Sequence, residues 1–149
     1  MGDYGRRLVV DATFDRTLVE TMRAMQLEGL DIITRFDLRE HLQRHAHHEC
    51  RRYVLLQVAS PDLMLRALQT DIETGPFLPV TIGVYELADG ETAVEATEPF
   101  GPVVSDPTWR RAAPDLAALA DRESAQLARA LARIEHVAPT PAGAAAALK

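Results

Sequence analysis

Four histidines and the chain's single cysteine lie between positions 41 and 50. His41 and His45 are four residues apart, so on a helix both rings would face one metal ion. His48 would lie one further turn along, and Cys50 would add a soft thiolate ligand, which together predict a site for zinc or another divalent transition metal. The segment is also rich in arginine and lacks a His-Glu-x-x-His motif. A solvated, basic helix face with no cofactor is therefore the favoured interpretation, with the metal site as its alternative.

A second set of candidates lies around a predicted hairpin, which contains Glu86, Glu95 and Glu98. Two of these carboxylates side by side would serve acid–base catalysis, whereas acids on a hairpin that faces water have no such role. Ser60 begins a predicted helix, whose free N–H groups would hold an anion. Asp62 already supplies a carboxylate at that positive end, so capping by Ser60 is the favoured interpretation. Ser60 and the three glutamates are the candidates for a ligand-binding site, and whether the protein is an enzyme stays open.

The elements that would position these residues follow from apolar periodicity, capping residues and turns. Strands are predicted over 6–13, 30–36, 52–59, 80–87 and 91–98, and helices over 14–28, 38–47, 61–74 and 114–137. The Asp89-Gly90 pair predicts a tight turn between the last two strands. The sequence thus predicts an α+β fold, with a mostly antiparallel sheet of about five strands and helices packed on it. The order is β-α-β-(α)-β-α-β-β plus a long C-terminal helix.

Strand 52–59 is nearly continuous in apolar residues, which is typical of a central strand with both faces covered. We therefore expect six residues to be buried on the central strands and on the helix that covers them: Leu55, Leu56, Val58, Leu68, Ile82 and Val84. The C-terminal helix carries apolar residues on more than one face, namely Leu116, Leu119, Leu127, Leu131 and Ile134. Because a small sheet would not cover them all, they predict a two-fold homodimer.

Length and charge limit the function classes. The 149 residues fit one domain, predicted over 1–137, followed by a low-complexity and loosely ordered tail over 138–149. A net charge of −6 has the wrong sign for nucleic-acid binding. No apolar run reaches the roughly 18 residues of a membrane span, and no signal peptide is recognisable. Together with the lone cysteine, these features predict a cytoplasmic protein that does not act on membranes.

The segment from Asp37 to Pro99 resembles the DUF302 family of small uncharacterised domains. The residues that carry the resemblance are mostly turns and caps: Ser60-Pro61, Leu78-Pro79, Val84-Tyr85-Glu86, Asp89-Gly90 and Glu98-Pro99. The resemblance implies an α+β domain with helices on one sheet, assembly as a dimer, and no known reaction. Many members carry cysteines at the positions of Ala59 and Val80. This chain has no thiol at either position, so a thiol or metal function of those cysteines is not expected here.

These observations are interpreted as a homodimeric domain that binds a small ligand or another protein, with no reaction assigned. A metal-binding protein that uses segment 41–50 is one alternative, and a small enzyme that uses the hairpin carboxylates is another. A deep pocket around Glu86, Glu95 or Glu98 with a raised pKa would favour the enzyme, whereas a shallow surface would favour the binding domain.

Overall fold

Five strands form one antiparallel sheet in the computed structural model, which describes residues 5–137. The strands are β1 (Arg6–Val10), β2 (Asp31–Asp37), β3 (Tyr53–Ala59), β4 (Val80–Ala88) and β5 (Glu91–Ala96). They lie side by side in the order β1-β5-β4-β3-β2, and every neighbouring pair is antiparallel. The predicted loose tail, 138–149, lies outside the described residues.

The described segment also contains five α-helices and two short 3-10 helices; three of the α-helices and one 3-10 helix connect the strands, and the others follow β5. The helices α1 (Phe14–Leu27), α2 (Leu38–Ala46) and α3 (Pro61–Thr70) begin after predicted capping residues whose side chains accept a backbone N–H. The 3-10 helices span Ile72–Phe77 and Gly101–Ser105, and α4 (Pro107–Ala112) leads into the long α5 (Pro114–Glu135). No helix among these residues is long and apolar enough to cross a membrane. The predicted α+β fold, its element order and the long C-terminal helix are confirmed.

The main core lies between one face of the sheet and the helices α1 and α5. Side chains alternate along each strand, so Val54, Leu56 and Val58 of β3 point into this core. Ile82 and Val84 of β4, which pair with Leu56 and Val54, are buried beside them. Leu56, Val58, Ile82 and Val84 are therefore core residues as expected.

The prediction was wrong for Leu55 and Leu68, which are only half-buried. Leu55 lies on the second face of β3 with Tyr53 and Gln57, and all three stay partly exposed. The expectation that both faces of β3 are covered is wrong for the same reason, because an antiparallel sheet needs a core on one face only. Leu68 packs at the border of a second, smaller core beneath α3.

The apolar residues of α5 divide between these two cores, which explains why they occupy more than one helical face. Leu116 and Leu119 near its start lie in the second core. Leu127, Leu131 and Ile134 near its end lie in the main core. All five are buried within a single chain, so they leave no surplus apolar surface for a partner. These five residues of α5 therefore give no support to the predicted homodimer.

The two faces of β3 allow a matched test of the core. Replacing Leu56 by Ala should lower the free energy of unfolding by about 2–5 kcal/mol, because it leaves a cavity in close packing. Replacing the adjacent Leu55 by Ala should cost only about 1 kcal/mol, because that side chain is already half in water. Urea unfolding of both variants at low protein concentration, where copies of the chain do not associate, measures the difference, and equal losses would show that the sheet does not have one covered face.

Candidate functional site

Polar side chains from four segments meet at one end of the sheet. The start of β1, the end of β3, the start of β4 and the end of β5 all lie there, because neighbouring strands run in opposite directions. We call this region the polar end and define it by Arg6, Ser60, Glu98, Glu123 and Ser124. Two of the residues singled out from the sequence, Ser60 and Glu98, belong to it.

Glu98 is held by two partners. Its Oε1 accepts from Arg6 Nε at 2.7 Å, and its Oε2 accepts from Ser124 Oγ at 2.9 Å. Arg6 Nη2 also donates to Ser124 Oγ at 2.8 Å, which closes the triangle. Both carboxylate oxygens of Glu98 are therefore engaged in tying β1 and the end of β5 to α5, rather than directed at an open site.

Ser60 caps α3, as the sequence predicted. Its Oγ accepts the N–H of Leu63 at 3.4 Å, and its own N–H donates to Glu123 Oε1 at 3.0 Å. The Glu123 carboxyl of α5 therefore accepts a hydrogen bond at the start of α3, the position at which the sequence analysis considered a bound anion. Ala59 and Val80 are fully buried at the same end of the sheet, and neither side chain carries a polar atom.

Glu123 is the functional candidate that was missed from the sequence. Its side chain is fully buried, and among the described residues Oε2 has no hydrogen-bond partner. Burial raises the pKa of the Glu123 carboxyl to about 7, against the smaller opposing effect of the Ser60 N–H. The helical periodicity of the sequence could have identified it, because Glu123 falls between Ala120 and Leu127 on the buried stripe of α5.

The hairpin acids do not form a carboxylate pair. Glu86 is opposite Thr92 on the helix-covered face and makes an ion pair with Arg51, at 3.4 Å between Oε1 and Nη1. Glu95 is opposite Gly83 on the other face, where it accepts a hydrogen bond from a tyrosine. With Glu98 at the polar end, the three glutamates occupy three different places. This arrangement therefore does not support the alternative in which two of them lie side by side for acid–base catalysis.

The structure does not bring the candidate ligands of the histidine segment together as a metal site. Helix α2 ends at Ala46, and His47 takes a left-handed conformation with φ at 49°, so His48 does not continue the helical face. The rings of His41 and His45 lie 4.5 Å apart between centroids, and both side chains are exposed. Within residues 5–137, no three His, Cys, Asp or Glu side chains come together as metal ligands. His48 and Cys50 are thus not placed with the His41–His45 pair.

The face of the sheet away from the main core carries a ring and hydrogen-bond network. Tyr53 and Tyr85 stack at 4.8 Å between centroids, with their planes 14° apart. Arg7 Nε donates to Tyr85 Oη at 3.0 Å, and Tyr85 Oη donates to Glu95 Oε2 at 3.0 Å. Gly83 makes room for this stack, because a Cβ there would lie 3.1 Å from Tyr53 Oη. Burial, together with the nearby Tyr85 and Glu95, raises the pKa of Tyr53.

Apolar side chains surround this network. Val9 of β1 is 48% exposed and Phe36 of β2 is 41% exposed, and Leu55 is opposite Phe36 on β3. The ring of His41 lies 5.1 Å from that of Phe36. We call this surface the open face and define it by Arg7, Val9, Phe36, Tyr53, Leu55, Tyr85 and Glu95. It is mixed in character, with exposed apolar side chains beside a charged and aromatic network.

Comparisons with known proteins agree with this architecture. The model of the family described as domain of unknown function DUF302 matches residues 7–134. The chain is also similar to a solved structure, the crystal structure of uncharacterized conserved protein DUF302 from Bacillus stearothermophilus. That match has a TM-score of 0.73 at 22% sequence identity and covers 89% of this chain and 99% of the other. No curated protein matches the chain.

The buried carboxyl of Glu123 predicts an unusual pH dependence of stability. Its pKa is about 7 in the folded state against 4.5 for an ordinary glutamate, so the unfolded chain loses this proton first as pH rises. Stability should therefore fall between about pH 4.5 and pH 7 by about 3 kcal/mol, and then level off. Glu123→Gln keeps an acceptor for the Ser60 N–H without the charge, and should be the more stable protein at pH 8.

Urea unfolding at pH 4.5, 6 and 8 measures this effect. The difference between Glu123→Gln and the unsubstituted protein should be largest at pH 8 and should shrink towards pH 4.5. Glu91→Gln, an exposed acid next to the hairpin turn, is the matched control and should not change the profile. The same pH dependence with and without Glu123 would refute the assignment.

The geometry of the histidines predicts weak metal binding. Calorimetric titration of untagged protein with zinc should detect at most the weak chelation of a two-histidine pair. Changing both His41 and His45 to Ala should alter the free energy of unfolding by less than about 0.5 kcal/mol, because both are exposed. Submicromolar zinc binding that is lost in this double variant would contradict this result.

Proposed function

Because the chain belongs to the DUF302 family, whose function is unknown, we propose that it is a non-enzymatic binding domain that acts as a homodimer through its open face. The observation that carries the proposal is the open face itself, on which stacked tyrosines are flanked by the exposed Val9 and Phe36. Sheets commonly pack face to face, and a two-fold axis brings the same surface of each copy together.

The charges on the open face favour a second copy of this chain as its partner. Arg7 and Glu95 both bond to the hydroxyl of Tyr85, so the middle of the face is electrically balanced. The whole chain carries a net charge of −6. Two copies of a face whose charges balance can contact each other without repulsion, even though the whole protein is acidic. A strongly charged partner would instead need a face with an excess of the opposite charge.

Pairing through strand edges is less well supported. The β2 edge is interrupted by a bulge between Ile32 and Thr34, and it carries charges at Asp31, Arg35 and Asp37. Bulges and charges at an edge are the usual means of preventing another strand from adding to a sheet. Contact through the face is therefore the better supported mode of association.

Binding is better supported than catalysis. Glu86, Glu95 and Glu98 are each bonded to a neighbour and lie apart, so the enzyme alternative lacks its pair of carboxylates. The metal alternative has only the His41–His45 pair in its favour. We also propose a cytoplasmic location, which the single cysteine supports because it leaves no partner for an internal disulfide.

Light scattering with matched variants tests the assembly. At about 100 μM, a concentration at which a micromolar complex is nearly saturated, the protein should have the mass of a dimer. Val9→Glu places a charge on the open face and should shift the mass towards that of a monomer. Val19→Glu, at a 62% exposed position of α1, should leave the dimer intact. A monomer mass for the unsubstituted protein, or dissociation by Val19→Glu alone, would overturn the proposal.

A further inference from the structure

A cavity of about 270 Å³ lies beside the second core, and no residue of the polar end or the open face lines it. It opens between the first 3-10 helix, the second 3-10 helix, α4 and the start of α5. Aromatic rings and carboxylates share its lining, which includes Asp71, Glu73, Thr74, Phe77, Phe100 and Trp109. None of the residues singled out from the sequence as site candidates lines it.

The aromatic wall is partly fixed and partly exposed. Phe100 and Trp109 lie 5.5 Å apart between centroids, tilted by 42°, and Phe100 is buried in the second core. Phe100 takes a left-handed backbone conformation, with φ at 61°, which is unfavourable for a bulky residue and so needs support from its surroundings. Phe77 is 55% exposed and completes the wall on the solvent side.

The two carboxylates are not neutralised by nearby cations. The Oδ1 of Asp71 accepts the N–H of Glu73 at 2.9 Å, which fixes the first carboxylate at the start of the 3-10 helix. Within residues 5–137, neither Asp71 nor Glu73 forms an ion pair. Arg110 is adjacent to Trp109 in the chain, but it bonds to the carbonyl of Val104 and to Asp121. The cavity therefore combines uncompensated negative charge with aromatic rings.

We propose that this cavity binds a small organic cation of the alkylammonium class. The face of an aromatic ring is negative and attracts an alkylated cation, which it also shields from water. Carboxylates at the rim would add long-range attraction for a positive charge and would repel an anion. A neutral apolar molecule would fit the rings but would gain nothing from Asp71 and Glu73. The volume accommodates one small head group rather than a large cofactor.

Trp109 provides the measurement, because it is the only tryptophan in the chain. Titration with choline should change its fluorescence saturably, with a Kd at or below about 1 mM. The matched probe is 3,3-dimethylbutan-1-ol, which has nearly the same shape as choline but no charge. It should bind at least about tenfold more weakly, because it lacks the attraction to the rings and to the carboxylates. Equal binding of the two probes, or no saturation by choline, would overturn the proposal.

Substitutions assign the effect to the cavity. Glu73→Gln removes one charge without disturbing the cap made by Asp71, and should weaken choline binding severalfold. Phe77→Ala should weaken it as well, whereas the exposed Glu91→Gln, at the hairpin, should not. Circular dichroism of each variant verifies that it is folded. Unchanged choline affinity in both Glu73→Gln and Phe77→Ala would refute the site. The Val9→Glu variant, which should disrupt the dimer, should bind choline normally, so loss of the dimer and loss of choline binding can be distinguished.

Discussion

Helix α5 has to cover two cores at once, and the rest of the molecule is arranged around that constraint. Its 22 residues extend over about 33 Å, which reaches from the second core to the far side of the main one. Glu123 and Ser124 lie where its contacts change from one core to the other. At that point α5 bonds to the start of α3 through Glu123 and to Glu98 through Ser124. The polar end is thus the joint between the two cores.

This division separates two kinds of surface. The main core uses only one face of the sheet, so the other face is left with tyrosines and partly exposed apolar side chains. The second core lies between the start of α5, α3 and shorter helical turns, which leave a cavity beside its aromatic residues. A flat face suits a flat partner, whereas a concave site suits a small molecule. Protein interaction and small-ligand binding therefore need not be exclusive for this fold.

Local signals in the sequence were enough to predict the fold, because caps, prolines and turns act over a few residues. The predictions that were wrong depend on features that these local signals do not determine. Leu55 belongs to an apolar run that looks the same whether one face or both are covered. His48 does not continue the helical face because His47 takes a left-handed backbone conformation, which nothing in the sequence pattern specifies. Glu86 and Glu95 fall on opposite faces because of their pairing register, which spacing along one strand does not reveal.

The remaining question is why a carboxyl group lies at the joint, where an apolar residue would pack without a charge. The N–H of Ser60 is buried there and needs an acceptor, since an unsatisfied donor would cost about 1–3 kcal/mol. Glu123 supplies this acceptor, and no other described residue on the buried stripe of α5 has an acceptor in its side chain. Among the described residues only one of its oxygens has a partner, and burial raises the pKa of the carboxyl to about 7. The two cores are therefore joined at a hydrogen bond whose acceptor oxygen is present in both the charged and the neutral form of the Glu123 carboxyl.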